Sequence, residues 1–385
     1  MRIALRVATG VLGLCIAIGV LASAHYYIAL RLILDPELPE PWRGLGLLAV
    51  AVLAALGVLQ PIAERTLPEP FARVLAWPGG LWMGFFFLLL VTLSATDLAL
   101  WALGAARGVD ADPGALAPRL RAAFSVAVVG VLGIGAVLTA LRGPRLVCLE
   151  ISPARWTRGL DGLRLVQLSD IHIGRILRRP FAESLVRRVN ALDPDLIVIT
   201  GDLVDGRVDA LGPQVEPFAD LTAPLGVFFV TGNHDHYSDA DPWVDKVRSL
   251  GIRVLRNQRV SLEHGSDAFE LAGVDDHRGG FGGSTEDLER ALAGRDPTLP
   301  LVLLAHDPAT FRSAATAGVD LQLSGHTHGG QLWPFRYLVR LAGPFIAGLY
   351  RRAESQLYVS RGTGFWGPPM RLFAPAEITE ITLRA

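Results

Sequence analysis

The sequence predicts a chain in two parts, an all-α N-terminal portion of about four membrane-spanning helices and then an α/β, or mixed α+β, domain. Three observations predict it. Long charge-free windows are confined to residues 1–143, short apolar runs alternate with amphipathic stretches over residues 144–385, and the composition is too apolar for a purely soluble protein of this size. Of 385 residues, 51% are hydrophobic and 19% charged, which also excludes a disordered or fibrous chain. Net charge is −1, from 36 basic and 37 acidic residues, so no overall field points to a nucleic-acid partner. Two cysteines, Cys15 and Cys148, are too few for a disulfide framework or a cysteine-based zinc site.

The first part rests on four windows without Asp, Glu, Lys or Arg: Val7–Leu30, Gly44–Ala63, Val74–Thr96 and Ala122–Leu141. About 20 apolar residues cross a hydrocarbon core of roughly 30 Å, and each window reaches that length. The first window is too long for the h-region of a cleaved signal peptide and lacks a clear cleavage site. Four spans place both ends of this part on one side, where eight arginines lie against five in the opposite loops. That asymmetry favours a cytoplasmic C-terminal half. His25 and Asp97 fall near span ends, and interfacial placement is expected for both.

In the second part the candidate strands are Leu163–Leu168, Leu196–Thr200, Val227–Thr231, Phe269–Gly273, Leu301–Ala305, Leu321–Ser324, Leu357–Ser360 and Ile378–Leu383. Helices are expected between them. One carries Phe181, Leu185, Val189 and Leu192 on a single face behind Pro180. A second opens with Asp241 as cap and Pro242 in its first turn, and stops at Gly251. A third has Ser284 and Asp287 at capping-box spacing. The Gly279–Gly283 run reads as a turn, because no helix-opening Lys-Ser/Thr follows it.

The chemistry gathers after the strands. Five runs end in Asp170-x-His172, Gly201-Asp202, Gly232-Asn233-His234-Asp235, His306-Asp307 and Gly325-His326-Thr327-His328. The carboxyl edge of an α/β sheet is where such folds place ligands. Asp170, His172, Asp202, Asn233, His306, His326 and His328 offer oxygen and imidazole but no thiolate, a set suited to Mn²⁺, Fe or Zn²⁺ and too rich in nitrogen for Ca²⁺. Seven ligands exceed one open site and suffice for two divalent ions sharing a carboxylate. Two ions about 3.5–4 Å apart are the clamp used for in-line phosphoryl displacement.

This series resembles the calcineurin-like metallophosphoesterase superfamily, over residues 145–385. The longer forms Leu168-Ser169-Asp170-Ile171-His172, Ser324-Gly325-His326-Thr327-His328-Gly329-Gly330-Gln331 and Pro375-Ala376-Glu377-Ile378 are similar to its membrane-anchored bacterial branch. The resemblance implies a sandwich of mixed sheets flanked by helices, in a multi-pass protein of the cell inner membrane. It implies a first ion on Asp170, His172 and His328, a second on Asn233, His306 and His326, and Asp202 bridging. His234 then donates to the phosphoryl or leaving oxygen with the adjacent Asp235 orienting it, while Asp205 stabilises its loop. Some members of that branch are UDP-2,3-diacylglucosamine pyrophosphatases of lipid A synthesis.

The stretch Gln331–Phe373 bears on the substrate. Nine aromatic residues and six arginines stand there against one acid, Glu354. Rings interleaved with arginine suit a membrane interface, and also suit the packing of a domain core and lid. The expected substrate is a lipid-linked phosphate or pyrophosphate, such as a nucleotide-diphospho-lipid. A soluble phosphoester with the helices as anchor, and a membrane sensor with a regulatory metal domain, are the alternatives. Arg175, three residues past His172, could grip a phosphate or simply be solvated.

Overall fold

A computed structural model describes residues 2–67, 69–107, 116–276 and 285–385. They form two compact units, 1–135 and 136–385. The first unit and the start of the second hold four helices: α1 (Arg2–Ala29, continued by a π-helical turn over Leu30–Leu34), α2 (Trp42–Thr66), α3 (Glu69–Arg107) and α4 (Leu116–Leu141). All four are long and apolar enough to cross a membrane. His25 and Asp97 lie inside helices and not at their ends. The charge-free windows stop early because they stop at charges, and the fold neutralises those charges. Asp97 accepts from Tyr27 at 2.8 Å and pairs with Arg31 at 2.8 Å and Arg121 at 2.9 Å, while Asp35 pairs with the same two arginines. His25 is buried, stacked on Phe86, donating from Nδ1 to Leu21 O and accepting at Nε2 from Trp82.

The second unit contains twelve strands among the described residues. In chain order they and their helices are β1 (Arg145–Ile151), β2 (Arg164–Leu168), α5 (Arg179–Asn190), β3 (Leu196–Thr200), α6 (Val208–Val215), β4 (Val227–Val230), α7 (Asn233–Tyr237), α8 (Ala240–Ser249), β5 (Arg253–Val254) and β6 (Gln258–His264). There follow β7 (Asp267–Gly273), α9 (Leu288–Leu292), β8 (Leu301–Leu304), α10 (Phe311–Thr316), β9 (Leu321–Ser324), α11 (Arg336–Ala342), β10 (Gly348–Arg352), β11 (Ser355–Val359) and β12 (Glu377–Leu383). One sheet runs β1-β12-β2-β3-β4-β5 and the other β10-β11-β9-β8-β7-β6. Both are mixed. β2 to β5 are parallel with β12 antiparallel to β2, and β7, β8, β9 and β11 are parallel between antiparallel β6 and β10.

Alternation along β3 shows the layering. Leu196 and Val198 face the second sheet, packing with Phe228, Leu271, Val302 and Leu323, whereas Ile197 and Ile199 face α5, α6 and α8 through Leu185, Leu211 and Val247. The second sheet is covered outside by α9 and α10, where Ala291 and Ala314 meet Leu301 and Leu303. A strand buried on both faces has no polar side to show, which is why these runs are continuously apolar. The result is a sandwich of two mixed sheets flanked by helices. Gln167 joins the sheets near their carboxyl ends, its amide donating to Thr200 Oγ1 at 2.9 Å and to Ser324 O at 3.0 Å.

Two helix starts differ from expectation. α8 begins at Ala240, with Asp239 at its cap position in the left-handed region, and Asp241 pairs with Arg256 at 2.6 Å. Asp287 caps α9 by accepting from Arg290 N at 2.9 Å. Ser284 and the Gly279–Gly283 run lie outside the described residues.

Candidate metal centre

Each candidate side chain leaves a strand end or the turn beyond it. Asp170 and His172 follow β2, Asp202 follows β3, Asn233 and His234 open α7 behind β4, His306 follows β8, and His326 and His328 follow β9. The turns are tight. Asp170, His172, Asp202, His326 and His328 all have φ between 51° and 71°, the left-handed region that side chains other than glycine seldom occupy. Glycine supplies the close approaches. A Cβ on Gly325 would stand 1.9 Å from Ser169 Oγ and 2.2 Å from Asp170 Oδ2, and one on Gly232 would stand 2.3 Å from Asp202 Oδ1.

The ligand atoms converge in two groups. Asp170, His172 and His328 each offer one atom within 4.8 Å of the others, as do Asp202, His306 and His326. In the first group His328 Nε2 lies 3.3 Å from Asp170 Oδ1 and 3.0 Å from His172 Nε2. In the second His306 Nε2 lies 3.2 Å from both Asp202 Oδ2 and His326 Nδ1. Asp202 Oδ2 is also 3.8 Å from His172 Nε2, so this carboxylate stands between the groups. Asn233 Oδ1 is buried with no hydrogen-bond partner. A buried carbonyl oxygen left without a donor is costly in a folded protein, and a cation satisfies it.

Outer partners set the rings. His306 Nδ1 donates to Thr200 O at 2.8 Å and His172 Nδ1 to Asp205 Oδ1 at 3.0 Å, which leaves each Nε2 with a lone pair turned inward. His328 is held oppositely. Its Nδ1 accepts from the buried Arg371 guanidinium at 3.1 Å, so in the neutral ring Nε2 carries the proton that a metal ion would displace. Arg371 also donates to the carbonyls of His328, Arg361, Gly364 and Ala374.

The field matches a cation site. Burial alone lowers the His172 pKa, but the carboxylates of Asp205, Asp202 and Asp170 outweigh it and raise it to about 9. Burial works against ionised Asp205, yet His172 and His234 hold its carboxyl down at about 2. Burial and then the Arg371 charge depress His328 well below the usual histidine range, and burial with His306 depresses His326.

His234 and Asp235 part company. His234 Nδ1 donates to Asp205 Oδ1 at 2.7 Å, and its ring packs edge-on against Trp366 at 5.5 Å. Asp235 does not orient His234. Its oxygens accept from the backbone N–H groups of Gly232 at 2.8 Å and of Asp202 and Leu203 at 2.9 Å, so it pins the turn behind Asp202. Asp205 is the residue that orients His234, and it touches His172 as well. The spacing Gly201-Asp202-x-x-Asp205 was the signal available for it. The stretch Gln331–Phe373 drew attention to Arg371 and Trp366 as part of a substrate-side surface, but not to their places beside His328 and His234, which lie more than 40 and 130 residues away in the chain.

The calcineurin-like phosphoesterase family pattern matches residues 163–330. A bovine transmembrane protein with metallophosphoesterase domain is 40% identical over 304 residues, 76% of this chain and 68% of that one. The chain belongs to the calcineurin-like phosphoesterase family. It is a metal-dependent phosphoester hydrolase by class. A zebrafish transmembrane protein with metallophosphoesterase domain is 39% identical over 68% of this phosphoesterase and 62% of its own length. An uncharacterized metallophosphoesterase from Aquifex aeolicus is 37% identical over 58% of this chain and 85% of its own. None of these names states a substrate.

Proposed function

We propose that this phosphoesterase is a multi-pass protein of the cell inner membrane that hydrolyses a phosphoester or pyrophosphate bond of a lipid-linked substrate, a nucleotide-diphospho-lipid being the sharpest case. The observation that carries the reading is Asp202 Oδ2, set between two histidine-bearing groups. Asp170, His172 and His328 would hold one divalent ion, Asn233, His306 and His326 the other, and Asp202 would serve both. Manganese suits this oxygen and nitrogen set, with iron or zinc as alternatives. When bound, two such ions polarise phosphoryl oxygens and activate water.

The chain's own residues do the rest. Asp205 fixes the His234 ring through Nδ1, which aims Nε2 as the atom that passes a proton to the leaving oxygen. Asp235 and Gly232 keep the Asp202 turn rigid, which limits reorganisation during the reaction. Support for a lipid substrate comes from the four apolar helices and from Trp366, half-exposed beside His234. Support for a cytoplasmic catalytic face comes from the arginine asymmetry.

The test uses full-length protein in detergent with Mn²⁺, and Asp202→Asn as the blank. Both are incubated with UDP-2,3-diacylglucosamine and with a total membrane lipid extract, and phosphorus-containing products are identified by mass spectrometry. Release of UMP and a lipid monophosphate by the wild type alone is expected. Cleavage of a generic soluble diester with no lipid product would overturn the lipid assignment.

A further inference from the structure

Directly after the metal motif the chain builds an apolar surface whose side chains stand largely exposed among the described residues. No residue of α11 is buried, and Leu341 is 84% exposed. Phe373, 71% exposed, lies beside Trp333 with ring centroids 6.3 Å apart. Phe335 and Leu338 are exposed as well. Large apolar side chains grouped this closely mark an interaction surface, whereas single ones carry no meaning.

The surface is held in place by design of the backbone. Buried Gln331 donates to Trp366 O at 2.7 Å and accepts from Trp366 N at 3.1 Å, while its own carbonyl accepts from Leu372 N at 2.9 Å. Trp333 N then donates to Leu372 O at 3.2 Å. One side chain and one short bridge thereby tie α11, the Phe373 turn and Trp366 together, and Trp366 reaches His234. The rim is cationic. Arg336 and Arg340 on α11 and Arg351 and Arg352 on β10 are exposed, with Glu354 the single acid of residues 331–373.

From this geometry we infer that Trp333, Phe335, Leu338, Leu341 and Phe373 form a docking surface for an anionic bilayer, which brings Trp366 and His234 to headgroup depth. Rings with flanking arginines match that interface in both polarity and charge. Chain length permits it. α4 ends at Leu141 and β1 begins at Arg145, and residues extend by at most about 3.5 Å each, so the first strand starts within about 14 Å of the last span. The inference rests on the membrane setting of the chain and not on which ester is cleaved.

The test uses full-length protein at one copy per lipid nanodisc, with Cys15 and Cys148 replaced by serine. A bimane label is placed by Leu341→Cys, by Phe373→Cys, and at the exposed α8 position by Asp245→Cys. In discs containing phosphatidylglycerol, a lipid-borne nitroxide is expected to quench the labels at 341 and 373 at least threefold more than the label at 245. The excess is expected to shrink in pure phosphatidylcholine. Equal quenching at all three positions overturns the proposal. So does shielding of 341 and 373 from lipid and aqueous quenchers alike, the result if protein covers this face. An equal excess in both lipids overturns its electrostatic element. Fluorescence does not depend on turnover, so these outcomes are separable from failure of the hydrolase reading.

Discussion

Asp205 Oδ1 accepts from His234 Nδ1 at 2.7 Å, and the same oxygen accepts from His172 Nδ1 at 3.0 Å. One carboxylate thus aligns a candidate proton donor and a candidate metal ligand. Removing it should disturb both. Asp205→Ala is expected to lower kcat by about 100-fold and weaken metal binding by about tenfold, with Asp205→Asn intermediate because it keeps an acceptor but loses the charge. Steady-state kinetics together with metal titration separate the two effects. Wild-type kcat in Asp205→Ala would remove this residue from the account.

Gly325 is expected to be intolerant of any side chain. Its Cβ would overlap Ser169 Oγ and Asp170 Oδ2 at 1.9 and 2.2 Å, and Asp170 also accepts from His326 N at 2.9 Å. Gly325→Ala should therefore lose metal and lower the thermal midpoint together. Gly294 is the control. A Cβ there meets nothing within 4 Å, although its φ of 68° adds a small backbone cost. If both alanine variants hold metal equally well, the close approach at Gly325 is not what shapes the site.

The interior was legible and the margins were not. β3 and β9 fall where their apolar runs place them, and the other central strands differ by a residue or two at their ends. The four strands that gave no signal, β1, β5, β6 and β10, are the four sheet edges. Edge strands bury at most one face, so β10 reads Gly348-Leu349-Tyr350-Arg351-Arg352 with none of its residues buried. At the site, residue types and strand-end positions pointed to six side chains that the fold gathers into two groups, and to Asn233, whose buried Oδ1 has no hydrogen-bond partner. Partner choice was not readable. Asp235 sits next to His234 in sequence, but the first turn of α7 points it back at the Asp202 turn, while Asp205 arrives from the neighbouring strand end.

Arg371 should matter for stability out of proportion to its distance from any substrate. It is buried and donates to four carbonyls and to His328 Nδ1. Arg371→Met keeps the bulk and leaves those acceptors without a donor, an expected loss on the order of 3 kcal/mol. The His328 ring also loses its restraint, so metal affinity should fall in the same variant. A thermal midpoint within experimental error of wild type would contradict this.

Asp275 gives a pH signature away from the seven ligands. Burial opposes its charge, but His236, Thr231 and Arg256 outweigh burial and hold its carboxyl at about 2. A carboxyl depressed from an unfolded value of about 3.9 contributes stability that is complete above that value and is lost as pH falls towards about 2. The contribution is on the order of 2 kcal/mol. Asp275→Asn should therefore lie well below wild type in thermal midpoint at pH 6 and approach it near pH 3. A gap that stays constant over that range would mean the charge is not the stabilising element.

Metal stoichiometry tests the central claim most directly. Full-length protein purified in detergent and loaded with Mn²⁺ would be analysed by elemental mass spectrometry, beside Asn233→Ala and Asp202→Asn. Two ions per wild-type chain are predicted, with about one retained in Asn233→Ala and fewer than one in Asp202→Asn. Wild-type protein that hydrolyses a phosphodiester at full rate with a single ion, or Asp202→Asn that still holds two, would contradict a centre built on a shared carboxylate.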